Sequence, residues 1–430
     1  MKLKKMMALS MATLLAMSTL TGCGGSAGTG GSGNSSDAPV TITIFNTKSE
    51  ITEYLEEAAE KYEEENNVHI EVYISNDQVS AHLATRYSSG DPYTLNMVDA
   101  KDVYSTGALY GYDMSGAEWI DDTDFEITVD DKVLGFPVCV EARGFLYNAD
   151  AIEEITGEAF DPASIKTLDD FTAFCDKLVA GGMETPTAIL KPDWSLAAHY
   201  FQQVYEERDD VEGFVQSLYA GTADLANDAK FNALMDTFDA LMKYNKFASG
   251  PIAVEDEQVH MATSEGEVAF QFGGCWEWND IIDYDYTGNV GMMPVPQNVT
   301  DDSTGKLVGG GSKFFYIDNS EYTTDEQRQA AMDFLDWLVY TDDGKTLVSD
   351  SCGMVSAFKN NDVACSNDLG AVVKTYVDAG KLVPNYDYDP DDHIARVGAY
   401  MQEYLAGNVD RATLAANIEG YWASTTPVEH

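Results

Sequence analysis

The chain has 430 residues, 44% of them hydrophobic and 23% charged, which supports a packed core and excludes wholesale disorder. Its 73 acids outnumber 25 basic residues, a formal charge of −48. A field of that sign excludes nucleic acid, an anionic membrane surface and acidic ligands, and it suits a neutral or cationic ligand. Most of the charge reads as solvated surface.

The chain opens with Lys2, Lys4 and Lys5, then an apolar and small-residue run from Met6 to Leu20. That pattern predicts a signal-peptide h-region over residues 1–22, too short for the roughly 20 residues of a stable membrane span. It ends in Leu20-Thr21-Gly22-Cys23, which resembles the bacterial lipobox. The resemblance implies cleavage before Cys23, lipidation of its thiol, and a place on the extracytoplasmic face of the bacterial cell membrane; the alternative is an ordinary secreted protein. Residues 23–39 then read as the lipidated cysteine and a Gly/Ser/Asn tether, a flexible coil in composition. Removing residues 1–22 takes away three lysines and no acid, leaving 22 basic residues against 73 acids, a formal −51.

Val40, Ile42 and Ile44 alternate with Thr41 and Thr43, a period-2 strand. Ile51, Tyr54, Leu55, Ala58, Ala59 and Tyr62 mark one face of a helix, and Val68, Ile70, Val72 and Ile74 alternate again. This βαβ unit predicts parallel strands. Helical faces follow at Leu168, Phe171, Phe174, Cys175 and Leu178, and at Ala331, Phe334, Leu335 and Leu338. Thr167 with Asp170, and Thr324 with Gln327, predict capping boxes at their starts. Two last helices read from Ile394, Val397, Met401, Tyr404 and Leu405, and from Leu414, Ile418 and Trp422. Helices alternate with short strands throughout, so the fold class is α/β.

Several segments carry a resemblance. Residues 136–150 read Phe-Pro-Val-Cys-Val-Glu-Ala-Arg-Gly-Phe-Leu-Tyr-Asn-Ala-Asp, and Gly273-Gly274-Cys275-Trp276-Glu277-Trp278 forms a Gly-rich turn. Ser89-Gly90-Asp91-Pro92 is followed by Asp99 and by Gly107-Ala108-Leu109; Thr167-Leu168-Asp169-Asp170-Phe171 starts a helix; Met293-Pro294-Val295-Pro296 precedes Gly309-Gly310-Gly311; and Phe334 to Leu338 leads to Asp342-Asp343-Gly344. In order, over about residues 40–422, these segments resemble the family 1 extracellular solute-binding proteins, the maltose-binding-protein-like substrate-binding lipoproteins of sugar ABC transporters. Tyr93 stands where that family usually has Asp. The resemblance implies a two-lobed periplasmic-binding-protein fold of type II with a hinge of three crossings. Lobe 1 is expected at 40–140 plus 305–342 and lobe 2 at 141–304 plus 343–430. It further implies capture of a carbohydrate, expected to be an oligosaccharide, in the interlobe cleft, delivery to ABC permease subunits, and a monomeric state.

A sugar presents hydroxyl rims to carboxylates and amides, and flat C–H faces to aromatic rings. Trp276 matches a stacking tryptophan of the family, against the usual core role of Trp. Trp278, two residues on, either faces the same way or lines the lobe. Glu141 matches a hinge carboxylate that contacts ligand, the alternative being an ion pair with Arg143. Trp194 lies where the family places a second-lobe aromatic. Asp99, Asn46 and Lys48 follow strands directly, where open sheets bind ligands; for Asp99 the alternative is a helix N-cap. Tyr386 and Tyr388, in a Tyr-Asp-Tyr-Asp run, offer a further stacking face or an acidic loop.

No GxSxG, HExxH or P-loop occurs, and the six histidines lack metal-ligand spacing. Asp283-Tyr-Asp285 begins like a calcium loop, but Pro294 stands where a bidentate Glu is needed. A binding protein is therefore expected, with no catalytic residue, cofactor or metal. A secreted glycosidase and a non-sugar ligand such as a polyamine are the alternatives. Cys139, Cys175, Cys275, Cys352 and Cys365 form no CxxC pair, and a disulfide between Cys352 and Cys365 is open.

Overall fold

A computed structural model describes residues 39–75, 77–286 and 288–428. The signal segment, Cys23 and nearly all of the tether lie outside the described residues. In chain order the strands are β1 (Val40–Asn46), β2 (Val68–Tyr73), β3 (Leu95–Val98), β4 (Ile127–Val129), β5 (Lys132–Asn148) and β6 (Thr187–Ala188). They continue as β7 (Phe270–Gly274), β8 (Val290–Met293), β9 (Leu307–Ile317), β10 (Val355–Ser356) and β11 (Leu382–Val383).

The opening βαβ unit forms as its alternation predicts. Ile42 and Ile44 are fully buried, and β1 pairs in parallel with β2 and β3. The helix Thr52–Asn66 buries Leu55, Ala58, Ala59 and Tyr62 and stops at Asn67, which turns left-handed at φ 52°. Two expected core positions differ: Tyr54 is 42% exposed on the helix flank, and Ile74 is 55% exposed beyond the end of β2. Both predicted capping boxes form, at Thr167 with Asp170 and at Thr324 with Gln327.

β5 spans 17 residues and organises the rest. It enters through a hairpin with β4, whose turn places Asp130 and Asp131 at φ 49° and 63°, as a type I′ turn requires. Its first half pairs antiparallel with β9 from Phe136 to Arg143, and β9 in turn pairs with β3. Its second half pairs with β7 and β8, and β7 carries β6. One continuous ladder therefore runs β2-β1-β3-β9-β5-β7-β6 through both halves of the molecule.

Two large cores flank this ladder. One gathers Ile42, Leu55, Phe136, Phe315 and Phe334, and reaches past the crossing strands to Cys275 and Met292. The other holds Phe145, Phe171, Phe201 and Phe270, together with the terminal helices His393–Leu405 and Arg411–Ser424. Apolar side chains from Leu347 to Val373 join the first core, not the second. β10 pairs with β5 at Cys139 and Val140, which ties that segment to the crossing strand. All five described cysteines are free thiols, so Cys352 and Cys365 are not bonded to each other.

Gly144 marks a tight crossing: a Cβ there would stand 2.3 Å from the Met293 carbonyl oxygen. Backbone cannot yield as a flexible side chain does. Gly144→Ala should therefore cost about 1–3 kcal/mol of stability, read as a lowered denaturation midpoint in urea.

Candidate functional site

A cleft of about 670 Å³ opens where β1, β3, β5, β7 and β9 converge, within the range of roughly 300–1,000 Å³ typical of ligand pockets. Lys48 and Asp99 reach it from the carboxyl ends of the parallel strands β1 and β3. Glu141, Arg143 and Lys313 come from the crossing strands β5 and β9, and Trp276 from the turn after β7. Trp194 and His199 lie on the π-helical stretch Trp194–Phe201, and Tyr386 and Asp387 on the segment after β11.

An aromatic wall lines one side. His199 sits between the two tryptophans, 4.5 Å from Trp276 and 5.4 Å from Trp194 between ring centroids. Burial, then the nearby Arg143 charge, pushes the His199 pKa down to about 3, so this ring is an uncharged imidazole with one donor and one acceptor nitrogen. Both indoles remain partly exposed to the cleft.

The cleft floor is charged and paired. Lys48 Nζ lies 2.9 Å from Glu141 Oε1 and 2.8 Å from Glu50 Oε1. Burial opposes both charges, yet Glu141 holds Lys48 well above its ordinary pKa, and Lys48 with Ser312 holds the Glu141 carboxyl below its own. Lys313 forms a second ion pair, with Asp99, whose charge outweighs burial and raises the Lys313 pKa. The cleft is lined by eight acids against four bases, so an anionic ligand would meet net repulsion.

Arg143 serves elsewhere than expected. It does not pair with Glu141 but with Glu206, while Nη1 donates to Asn385 Oδ1 at 2.9 Å and Nε to the His199 carbonyl at 3.0 Å. Glu206 also accepts the Tyr386 N–H at 3.1 Å, and Gln202 donates to the Tyr386 carbonyl at 3.0 Å. This network pins the Asn385–Asp391 segment to the wall, with the Asp389 carboxylate accepting from Gln202 and Asp387 lining the cleft. Burial, then the Glu206 charge, raises the Asp387 pKa to about 7.

Of the residues singled out from sequence, the cleft brings together Trp276, Glu141, Asp99, Trp194, Lys48 and Tyr386. Tyr386 is 9% exposed, so little of its ring is open to the cleft. Tyr388 instead packs on Tyr104, 4.7 Å between centroids. Asn46 does not reach the cleft: its side chain donates to the Lys48 carbonyl at 2.9 Å and to Thr52 at 3.0 Å, and accepts from the Lys48 N–H at 2.9 Å. It builds the turn that aims Lys48. Trp278 also misses, because two residues of helical turn rotate it about 200° from Trp276. It is 8% exposed and edge-on to Tyr286 in the core. Sequence reading missed His199, Gln202, Glu206, Lys313 and Asp387. The Tyr-Asp-Tyr-Asp run was the one available signal, and its acids, not its rings, carry the polar lining.

The sequence profile of the bacterial extracellular solute-binding protein family matches residues 57–360. The chain belongs to that family. No curated protein matches this solute-binding protein in sequence. Solved structures do match it. RafE in complex with raffinose aligns at TM-score 0.73 with 19% identity, over 89% of this chain and 99% of that one. The apo form of RafE from Streptococcus pneumoniae gives 0.73 and 20%, over 91% and 99%. A sugar transporter from Bacillus licheniformis in complex with stachyose gives 0.65 and 17%, over 89% and 99%. These likenesses establish a shared two-lobed fold.

The raised Asp387 carboxyl has a measurable consequence. Between its unfolded pKa near 3.9 and its folded value of about 7, the native state binds more protons than the unfolded one. Asp387 therefore makes a contribution to stability that is present below pH 4 and is lost as pH rises to 7. Thermal melts at pH 5 and pH 7.5 should show Asp387→Asn less sensitive to that rise than the wild type.

Proposed function

We propose that the protein captures an oligosaccharide between its lobes and delivers it to the permease subunits of an ABC importer. The observation that carries this reading is the Trp194–His199–Trp276 wall lining one cleft with carboxylates and ammonium groups. Such a wall stacks on the C–H faces of a sugar, and the charged floor exchanges hydrogen bonds with its hydroxyls. Hinge closure along β5 and β9 then excludes water from the trapped ligand. The reading also fits relatives of the same fold whose structures hold raffinose and stachyose. With it go anchoring through a lipid on Cys23, work on the outer face of the membrane as a monomer, and release of the sugar uncleaved.

The excess of acids in the cleft favours one other ligand class, a polyamine. A thermal-shift screen separates the two. Ligand at 100 times Kd adds about 2.7 kcal/mol of stability. Raffinose, stachyose, mannotriose or a chitin oligosaccharide should raise Tm, and the sugar should be recovered with no new reducing ends. A shift by spermidine with none by any sugar would overturn the carbohydrate reading. For the sugar that responds, Trp276→Ala should weaken binding about tenfold or more by titration calorimetry.

A further inference from the structure

The platform tryptophan stands on a turn that other residues must hold. Cys275–Glu277 form a single 3-10 turn after β7, and the two glycines before it leave space on both sides. A Cβ on Gly274 would stand 2.2 Å from the Trp276 ring, so the indole folds back over that position. A Cβ on Gly273 would stand 2.4 Å from Glu277 Oε1, so the carboxylate fills the neighbouring space. Glu277 is 1% exposed and does not line the cleft. Its Oε1 accepts the Gly274 N–H at 3.3 Å, closing the turn on itself. Its Oε2 accepts from the Gln271 side chain, whose own oxygen accepts from the Thr263 hydroxyl, and His260 Nε2 lies 3.4 Å away. Glu277, Gln271, Thr263 and His260 are all buried, so this chain of partners is fixed from behind and no ligand reaches it.

We propose that Glu277 is the positioning residue of the binding site: its carboxylate, tied to the Gly274 N–H, holds the Trp276 indole against His199 at the angle the ligand meets. Part of this inference rests on the reading of Trp276 as a ligand platform. An acid enclosed among backbone and polar partners is costly to keep, and a hydrophobic residue of like size would fill the space as well. What a hydrophobe cannot do is accept the Gly274 N–H, which would then be buried without a partner. The requirement is for an acceptor of this length.

Two variants separate reach from charge. Glu277→Gln keeps the reach and loses the charge; Glu277→Asp keeps the charge and falls one carbon short of Gly274. The near-ultraviolet circular dichroism of Trp276, taken as wild type minus Trp276→Phe, reports its placement with no ligand present. Raffinose and stachyose serve as binding probes. Glu277→Asp should lose the Trp276 signature and about tenfold in affinity, and Trp276→Ala should then cost little more in that background, since residues acting as one unit are not additive. Glu277→Gln should keep the signature and an affinity within about threefold of wild type. The inference is overturned if the Asp variant keeps the signature and affinity, or if Trp276→Ala costs as much there as in the wild type. Should the wild type bind neither sugar, the carbohydrate reading suffers while the ligand-free signature still decides the role of Glu277.

Discussion

β5 hydrogen-bonds along both of its edges, and every part of the cleft is placed relative to it. On one edge β9 and then β8 attach; on the other, β10 and then β7. Because strand side chains alternate, Glu141 and Arg143 project from the same face two residues apart. One faces Lys48 and the other Glu206, so a single strand carries the anchor of each wall. The two ion pairs differ in kind. Lys48–Glu141 sits at the cleft floor, where a ligand can compete for it. Arg143–Glu206 is almost wholly enclosed and serves to fix the segment that bears Asp387.

That arrangement explains why charge on the whole chain and charge in the cleft are separate matters. The surface carries most of the acids, whereas in the cleft Lys313 and Arg143 each hold one in an ion pair and Lys48 holds two. Among the described residues Asp387 has no such partner, and burial, then the Glu206 charge, raises its proton affinity. The cleft is polar without being uniformly charged, as suits hydroxyl-rich ligands that need both donors and acceptors.

Much of the fold is legible in the sequence because it follows from periodicity. The alternation of Val40, Ile42 and Ile44, the helical face through Leu55 and Tyr62, and the capping boxes at Thr167 and Thr324 all depend on local spacing, and all form. The site is legible where position on an element decides, as for Lys48 and Asp99 at strand ends and Trp276 on its glycine turn. It is illegible where a long-range partner decides. Asn46 has the right place and the wrong direction, since its amide is taken up by the Lys48 backbone. Trp278 has the right neighbour and the wrong rotation. Arg143 selects Glu206, 63 residues away, and no spacing in the chain announces that choice.

The five free thiols carry a different consequence. Four are buried, and burial raises the Cys139 pKa to about 11 and that of Cys352 to about 12. Thiolate is the reactive form, so these buried thiols are close to inert toward alkylating reagents at neutral pH while the chain is folded. Among the described residues the fold is held without cross-links, so their packing needs no oxidising enzyme. The four buried cysteines react in earnest only when the cores come apart, which makes their labelling a built-in gauge of unfolding.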